Sequence, residues 1–88
     1  VVLMGSIINA ETHIESNVII NSGVIIEHHA VIEKHCHIAP GAILCGNVTI
    51  SAGSFIGAGT VITQETTISP DSLILPSEYI SLNKKNNA

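Results

Sequence analysis

Every sixth residue from Ile8 onward is aliphatic: Ile8, Ile14, Ile20, Ile26, Ile32, Ile38, Leu44, Ile50, Ile56, Ile62, Ile68, Ile74 and Ile80. A helix repeats near 3.6 residues and an amphipathic strand every 2, so a period of six requires a chain that turns after each short strand. A second column stands two residues ahead of the first. It runs Ser6, Thr12, Val18, Val24, Ala30, Cys36, Ala42, Val48, Ser54, Thr60, Thr66 and Ser72, all small or β-branched, before Glu78 breaks it. Pro40, Pro70 and Pro76 each follow an aliphatic position by two residues, and the next position holds Gly5, Gly23, Gly41, Gly53, Gly59, Asn17, Asn47 and Asp71. Each hexad is therefore expected to form a three-residue strand, small-x-Ile, whose outer residues point inward. A corner follows, where Pro fixes φ and lacks a donor that the ladder would want, and where Gly, Asn or Asp takes unusual backbone angles. Three hexads close a triangular coil of about 18 residues, and coils stack as parallel strands about 4.8 Å apart.

This geometry accounts for the composition. The 88 residues are 45% hydrophobic but only 2% aromatic, and sixteen Ile, seven Val and six Thr face five Leu. A small core is usually filled by aromatics, Leu and Met, whereas a narrow prism admits a β-branched residue at one position and a small one at the other. The length allows one domain. Three Lys, no Arg and a net charge of -4 exclude the basic surface of a nucleic-acid binder. The apolar runs fall far short of the roughly 20 residues that span a bilayer, so no membrane partner is expected. The start, Val1 to Gly5, lacks both a signal-peptide pattern and an initiator Met, and the chain is expected to be a fragment of a longer protein. Cys36 and Cys45 stand in no metal-binding or redox spacing, which favours two reduced thiols and a cytoplasmic location.

Because packing occupies the interior, chemistry is expected on the outward positions. Five histidines crowd the first half: His13, His28, His29, His35 and His37. His13 and His35 read as ordinary surface residues. The strand midpoints form three outward rows, and two are apolar: Ile7, Ile25, Ile43, Val61, Tyr79 and Ile19, His37, Phe55, Leu73. Two such rows on one small chain imply burial against neighbouring subunits.

The hexads from about Ser6 to Ile80 resemble the left-handed parallel β-helix of hexapeptide-repeat acyltransferases, here with about four to five coils. Within them, Asn21, His28, His37, Pro40-Gly41-Ala42 and Gly46-Asn47-Val48 closely resemble one branch of bacterial sugar acetyltransferases. That branch comprises nucleotide-4-aminosugar N-acetyltransferases and sialic acid O-acetyltransferases. The resemblance implies direct transfer of acetyl from acetyl-CoA to a sugar amine or hydroxyl, with no metal, in a homotrimer whose active sites lie between subunits. His28 would be the general base, a role that suits an imidazole at neutral pH. His37 would hydrogen-bond near the thioester. Gly46, one coil above His28, would leave room for the acetyl group and offer its N–H to the carbonyl oxygen. Ala58 would contact pantetheine through its backbone, and Asn21 would shape the substrate pocket.

Three departures qualify the match. Where the branch carries Asp or Glu after the base, this chain has His29, so either the base is weaker or a carboxylate comes from elsewhere; Glu27 and Glu33 are near in sequence, and Glu11, one coil below His29, is the candidate for a Glu11–His29 relay. Without Arg, CoA phosphates have only Lys34, Lys84 and Lys85, so weak CoA affinity is expected. The β-helix is expected over residues 1–82 with a disordered tail at 83–88, and the N-terminal Rossmann-like sugar-binding domain of the branch is absent from this sequence. A non-catalytic β-helix trimer is the main alternative. A carbonic anhydrase-like zinc enzyme is a weaker one, because the histidine spacings do not match that family's ligands.

Overall fold

The computed structural model describes residues 1–81, so the tail at 83–88 and the boundary at residue 82 lie outside the described residues. The described residues form a left-handed parallel β-helix of thirteen two-residue strands: β1 (Ile7–Ile8), β2 (His13–Ile14), β3 (Ile19–Ile20), β4 (Ile25–Ile26), β5 (Val31–Ile32), β6 (His37–Ile38), β7 (Ile43–Leu44), β8 (Thr49–Ile50), β9 (Phe55–Ile56), β10 (Val61–Ile62), β11 (Thr67–Ile68), β12 (Leu73–Ile74) and β13 (Tyr79–Ile80). They stack into three sheets. Face one is β1-β4-β7-β10-β13, face two is β2-β5-β8-β11 and face three is β3-β6-β9-β12. The register pairs residues eighteen apart, Ile7 with Ile25 on face one and Ile19 with His37 on face three.

Each strand is one residue shorter than the sequence suggests, but the small residue before it still joins the ladder through its carbonyl. Ile7 N–H donates to Val24 C=O at 2.9 Å, and Asn9 N–H donates to Ile26 C=O at 2.9 Å. The aliphatic column is the core, with Ile20, Ile26, Ile32, Ile38, Leu44, Ile50, Ile56, Ile62 and Ile68 fully buried. Some hydroxyls of the small column satisfy carbonyls one coil up, Ser54 Oγ donating to Ser69 C=O at 3.0 Å and Thr60 Oγ1 to Leu75 C=O at 3.0 Å, whereas Ser72 Oγ donates within its own coil to Ser69 C=O at 2.7 Å. These bonds allow Ser54 and Thr60 to be buried in an apolar prism without the penalty of an unpaired hydroxyl.

The corners have a regular division of labour. The second corner residue takes left-handed φ, between 57° and 78°, in Gly5, Gly23, Gly41, Gly53 and Gly59 and equally in Glu11, Asn17, His29, His35, Asn47, Glu65, Asp71 and Ser77. Its N–H donates to the first corner residue of the coil beneath, as in His29 to Ala10 at 3.1 Å and Asn47 to His28 at 3.0 Å. Among the described residues, the first corner residue's own N–H makes no backbone hydrogen bond. The ladder never uses that donor. Pro40, Pro70 and Pro76 therefore sacrifice nothing at these positions, which corrects the expectation that the ladder would want their N–H.

Candidate functional site

His28 is a first corner residue on the edge between faces one and two, in the bend joining β4 to β5. Gly46 holds the same place one coil higher. A Cβ on Gly46 would fall 2.9 Å from His28 Cε1 and 3.1 Å from Nε2, so the imidazole lies across the space that a side chain would fill. Gly46 is not in the left-handed region, and close approach of the ring is the physical reason for glycine there. Its C=O accepts from Glu65 N–H at 2.9 Å, while its N–H is unengaged among the described residues. Some first-corner amides are covered by side chains, Lys34 N–H by Glu15 Oε1 and Ala52 N–H by Glu33 Oε1, each at 3.0 Å. Gly46 thus combines a fixed backbone, a free donor and an adjacent imidazole.

His29, next in the bend, has φ 60°. Its Nδ1 lies 3.1 Å from His28 Nδ1, and the two rings meet edge to face with centroids 5.2 Å apart at 85°. The ring of His29 is thus bonded to His28 and not to Glu11, so the expected Glu11–His29 relay is absent. The period of eighteen stacks the two backbones, but the side chain of His29 turns along its own coil. Sequence spacing gives no sign of that turn.

His37 sits elsewhere. It opens β6 on face three, which in a triangular prism is the face opposite the edge carrying His28. Its Nε2 lies 3.4 Å from Asn21 Nδ2, and its ring packs against Phe55 with centroids 5.0 Å apart at a tilt of 53°. Asn21 Oδ1 accepts from Ser22 N–H at 2.8 Å, which orients the amide so that Nδ2 donates to His37. A neutral His37 accepting at Nε2 carries its proton on Nδ1, where it is available as a donor. Ala58 occupies a third place, a first corner residue on the edge between faces three and one. Its C=O accepts from Ser77 N–H at 2.8 Å and its N–H is unengaged among the described residues.

Of the six sequence-predicted residues, then, one chain brings together His28, His29 and Gly46 at one edge, and Asn21 with His37 on the opposite face. It does not bring the two groups together. The face-three row around His37 is apolar and open, with Ile19 and Phe55 partly exposed and Leu73 56% exposed. On face one, Ile7 and Tyr79 are likewise exposed.

Cys45, beside Gly46, is half-buried; burial and, secondarily, the nearby Glu27 carboxylate push its thiol pKa up. It is a poor nucleophile in this setting. Cys36 is buried in the core, and burial likewise raises its pKa. Among the described residues, no group of three or more His, Cys, Asp or Glu side chains of the chain comes together to hold a metal ion.

No curated protein matches the chain. Residues 29–64 match the family model described as bacterial transferase hexapeptide (six repeats), a stretch that takes in His29, His37, Gly46 and Ala58 and begins directly after His28.

Proposed function

We propose that this chain is the acetyl-CoA-dependent catalytic β-helix of a cytoplasmic sugar acetyltransferase. It transfers acetyl to an amine or hydroxyl of a nucleotide-aminosugar or sialic acid type acceptor. The observation that carries this reading is the His28 imidazole lying across Gly46, next to a free Gly46 N–H. Acyl transfer needs a base for the nucleophile's proton and a donor for the oxyanion, and both stand here on neighbouring coils. The acceptor N or O attacks the thioester carbonyl as His28 Nε2 takes its proton. The Gly46 N–H stabilises the oxyanion. Collapse breaks the C–S bond, and the imidazolium returns its proton to the departing thiolate. The bare backbone at Gly46 lets the His28 ring lie against it, and the free Ala58 amide suits pantetheine.

In this reading the working unit is a homotrimer. His37 and Ala58 lie away from the His28 edge of their own chain, so a complete site pairs one subunit's His28 edge with a neighbour's face three. The apolar rows on faces one and three supply the surface for such contacts.

Calorimetry with acetyl-CoA tests the proposal on the wild type, His28→Ala and His37→Ala. The wild type binds weakly, His37→Ala binds more weakly still, and His28→Ala binds acetyl-CoA but does not turn it over with an aminosugar. No heat of binding at millimolar acetyl-CoA would overturn the assignment and favour a non-catalytic β-helix trimer.

A further inference from the structure

A hydrogen bond between two Nδ1 atoms holds one proton, on one ring or the other. If His29 donated, a neutral His28 would carry its own proton on Nε2, the atom facing Gly46, and would have no lone pair there for a substrate proton. If His28 donates, its Nε2 is unprotonated and faces the Gly46 space. We propose that His29 is a positioning residue that accepts the Nδ1–H of His28, fixing His28 as the tautomer whose Nε2 is the base. This deepens the acetyl-transfer reading and rests on it.

The backbone supports the pairing. His29 is held at φ 60° by its N–H bond to Ala10 C=O at 3.1 Å, and the same corner of the next coil is tied to His28 C=O by Asn47 N–H at 3.0 Å. The ring of His28 lies against Gly46, with Cε1 and Nε2 nearest to where a Cβ would stand. When Nε2 receives the substrate proton, the Nδ1–H···Nδ1 bond becomes charge-assisted and strengthens, which stabilises the imidazolium as it forms. His29 supports the base without carrying a negative charge of its own.

An imidazole acceptor brings a limit that a carboxylate would not impose near neutral pH. Its lone pair is lost once it binds a proton, and two imidazolium ions cannot share the bond. The pair accordingly works with no more than one added proton. The titratable groups on the surrounding coils are Glu11 beneath His29, Glu27 before His28, Cys45 beside Gly46 and Glu65 above Asn47. Among the described residues, none of these is hydrogen-bonded to either ring.

Two substitutions suit the left-handed backbone and separate the roles. His29→Asn places its Oδ1 where Nδ1 of the imidazole stands, keeps an acceptor and cannot titrate. His29→Gly removes the acceptor. Long-range proton–nitrogen NMR on the full chain reads the His28 tautomer directly, and steady-state acetyl transfer is measured alongside it. Nδ1–H is expected at His28 in the wild type and in His29→Asn, and a mixture of tautomers in His29→Gly. With His29→Gly, kcat falls about ten- to a hundred-fold at unchanged KM, the worth of one hydrogen bond to a charged group. With His29→Asn, kcat is largely retained. An Nε2–H tautomer at His28 in the wild type, or a tautomer unmoved by His29→Gly, would overturn the pairing even if acetyl transfer is intact. Conversely, the expected tautomers with no acetyl transfer would uphold the pairing and overturn only the functional reading.

Discussion

Gly46 and Gly57 are two glycines outside the left-handed region, within two hexads of each other, yet they are glycine for different reasons. A Cβ on Gly46 would meet the imidazole of His28, a side chain that can swing away. A Cβ on Gly57 would lie 2.5 Å from Pro76 N, 2.6 Å from Leu75 C and 2.7 Å from Ile74 O, all backbone of the coil above. Backbone in a stacked ladder cannot yield locally, because each coil's bonds fix the next. One glycine serves the site and the other serves the stack.

The largest expected effect is therefore at Gly57. Gly57→Ala should lower unfolding stability by about 2–3 kcal/mol in a urea titration, the usual cost of overpacking against atoms that cannot move. Wild-type stability in that variant would erase the distinction. Gly46→Ala should cost less than about 1 kcal/mol, because the His28 ring rotates away, but should reduce kcat about a hundred-fold by misplacing Nε2. Adding His28→Ala should remove even the small stability cost, since the clash then has no partner. A Gly46→Ala protein as unstable as Gly57→Ala would break the comparison.

The two thiols offer a smaller and finer readout. Both are raised above the ordinary value of 9.0, burial being the first cause in each. A folded-state thiol pKa above the unfolded one contributes stability that is fully present below pH 9 and is lost as pH rises through the folded value. Alkylation of Cys36 should stay slow at neutral pH in the wild type and in Gly46→Ala, and should accelerate in Gly57→Ala, where the prism opens more often. Glu27→Gln should quicken alkylation of Cys45 by no more than a few-fold, by removing the nearby negative charge, and should leave Cys36 unchanged.

These contrasts also mark what the sequence could tell. The column from Ile8 to Ile80 encodes the prism because stacking demands the same shape at every sixth position, and period arithmetic puts Gly46 above His28. The strands came out shorter than small-x-Ile implies, because the small residue contributes only its carbonyl to the ladder. The bond from His29 to His28 was not legible. A repeat specifies where backbones stack, but a side chain leaving a left-handed corner can run along its coil or across coils. Left-handed corners at His29 and His35 were equally hidden, since the bend sets φ there whatever residue occupies it. The separation of His28 from His37 was implicit in their spacing of nine, one and a half hexads, which carries the chain from an edge to the opposite face.

That separation is the central claim, and subunit complementation tests it most directly. His28→Ala and His37→Ala chains should each be inactive in acetyl-CoA-dependent transfer. Unfolded together in equal amounts and reassembled, they should regain about a quarter of wild-type activity per chain, because a random trimer places an intact His28 edge against an intact His37 face at about that frequency. A mixture that forms mixed trimers but stays as inactive as its parents would contradict a site shared between chains.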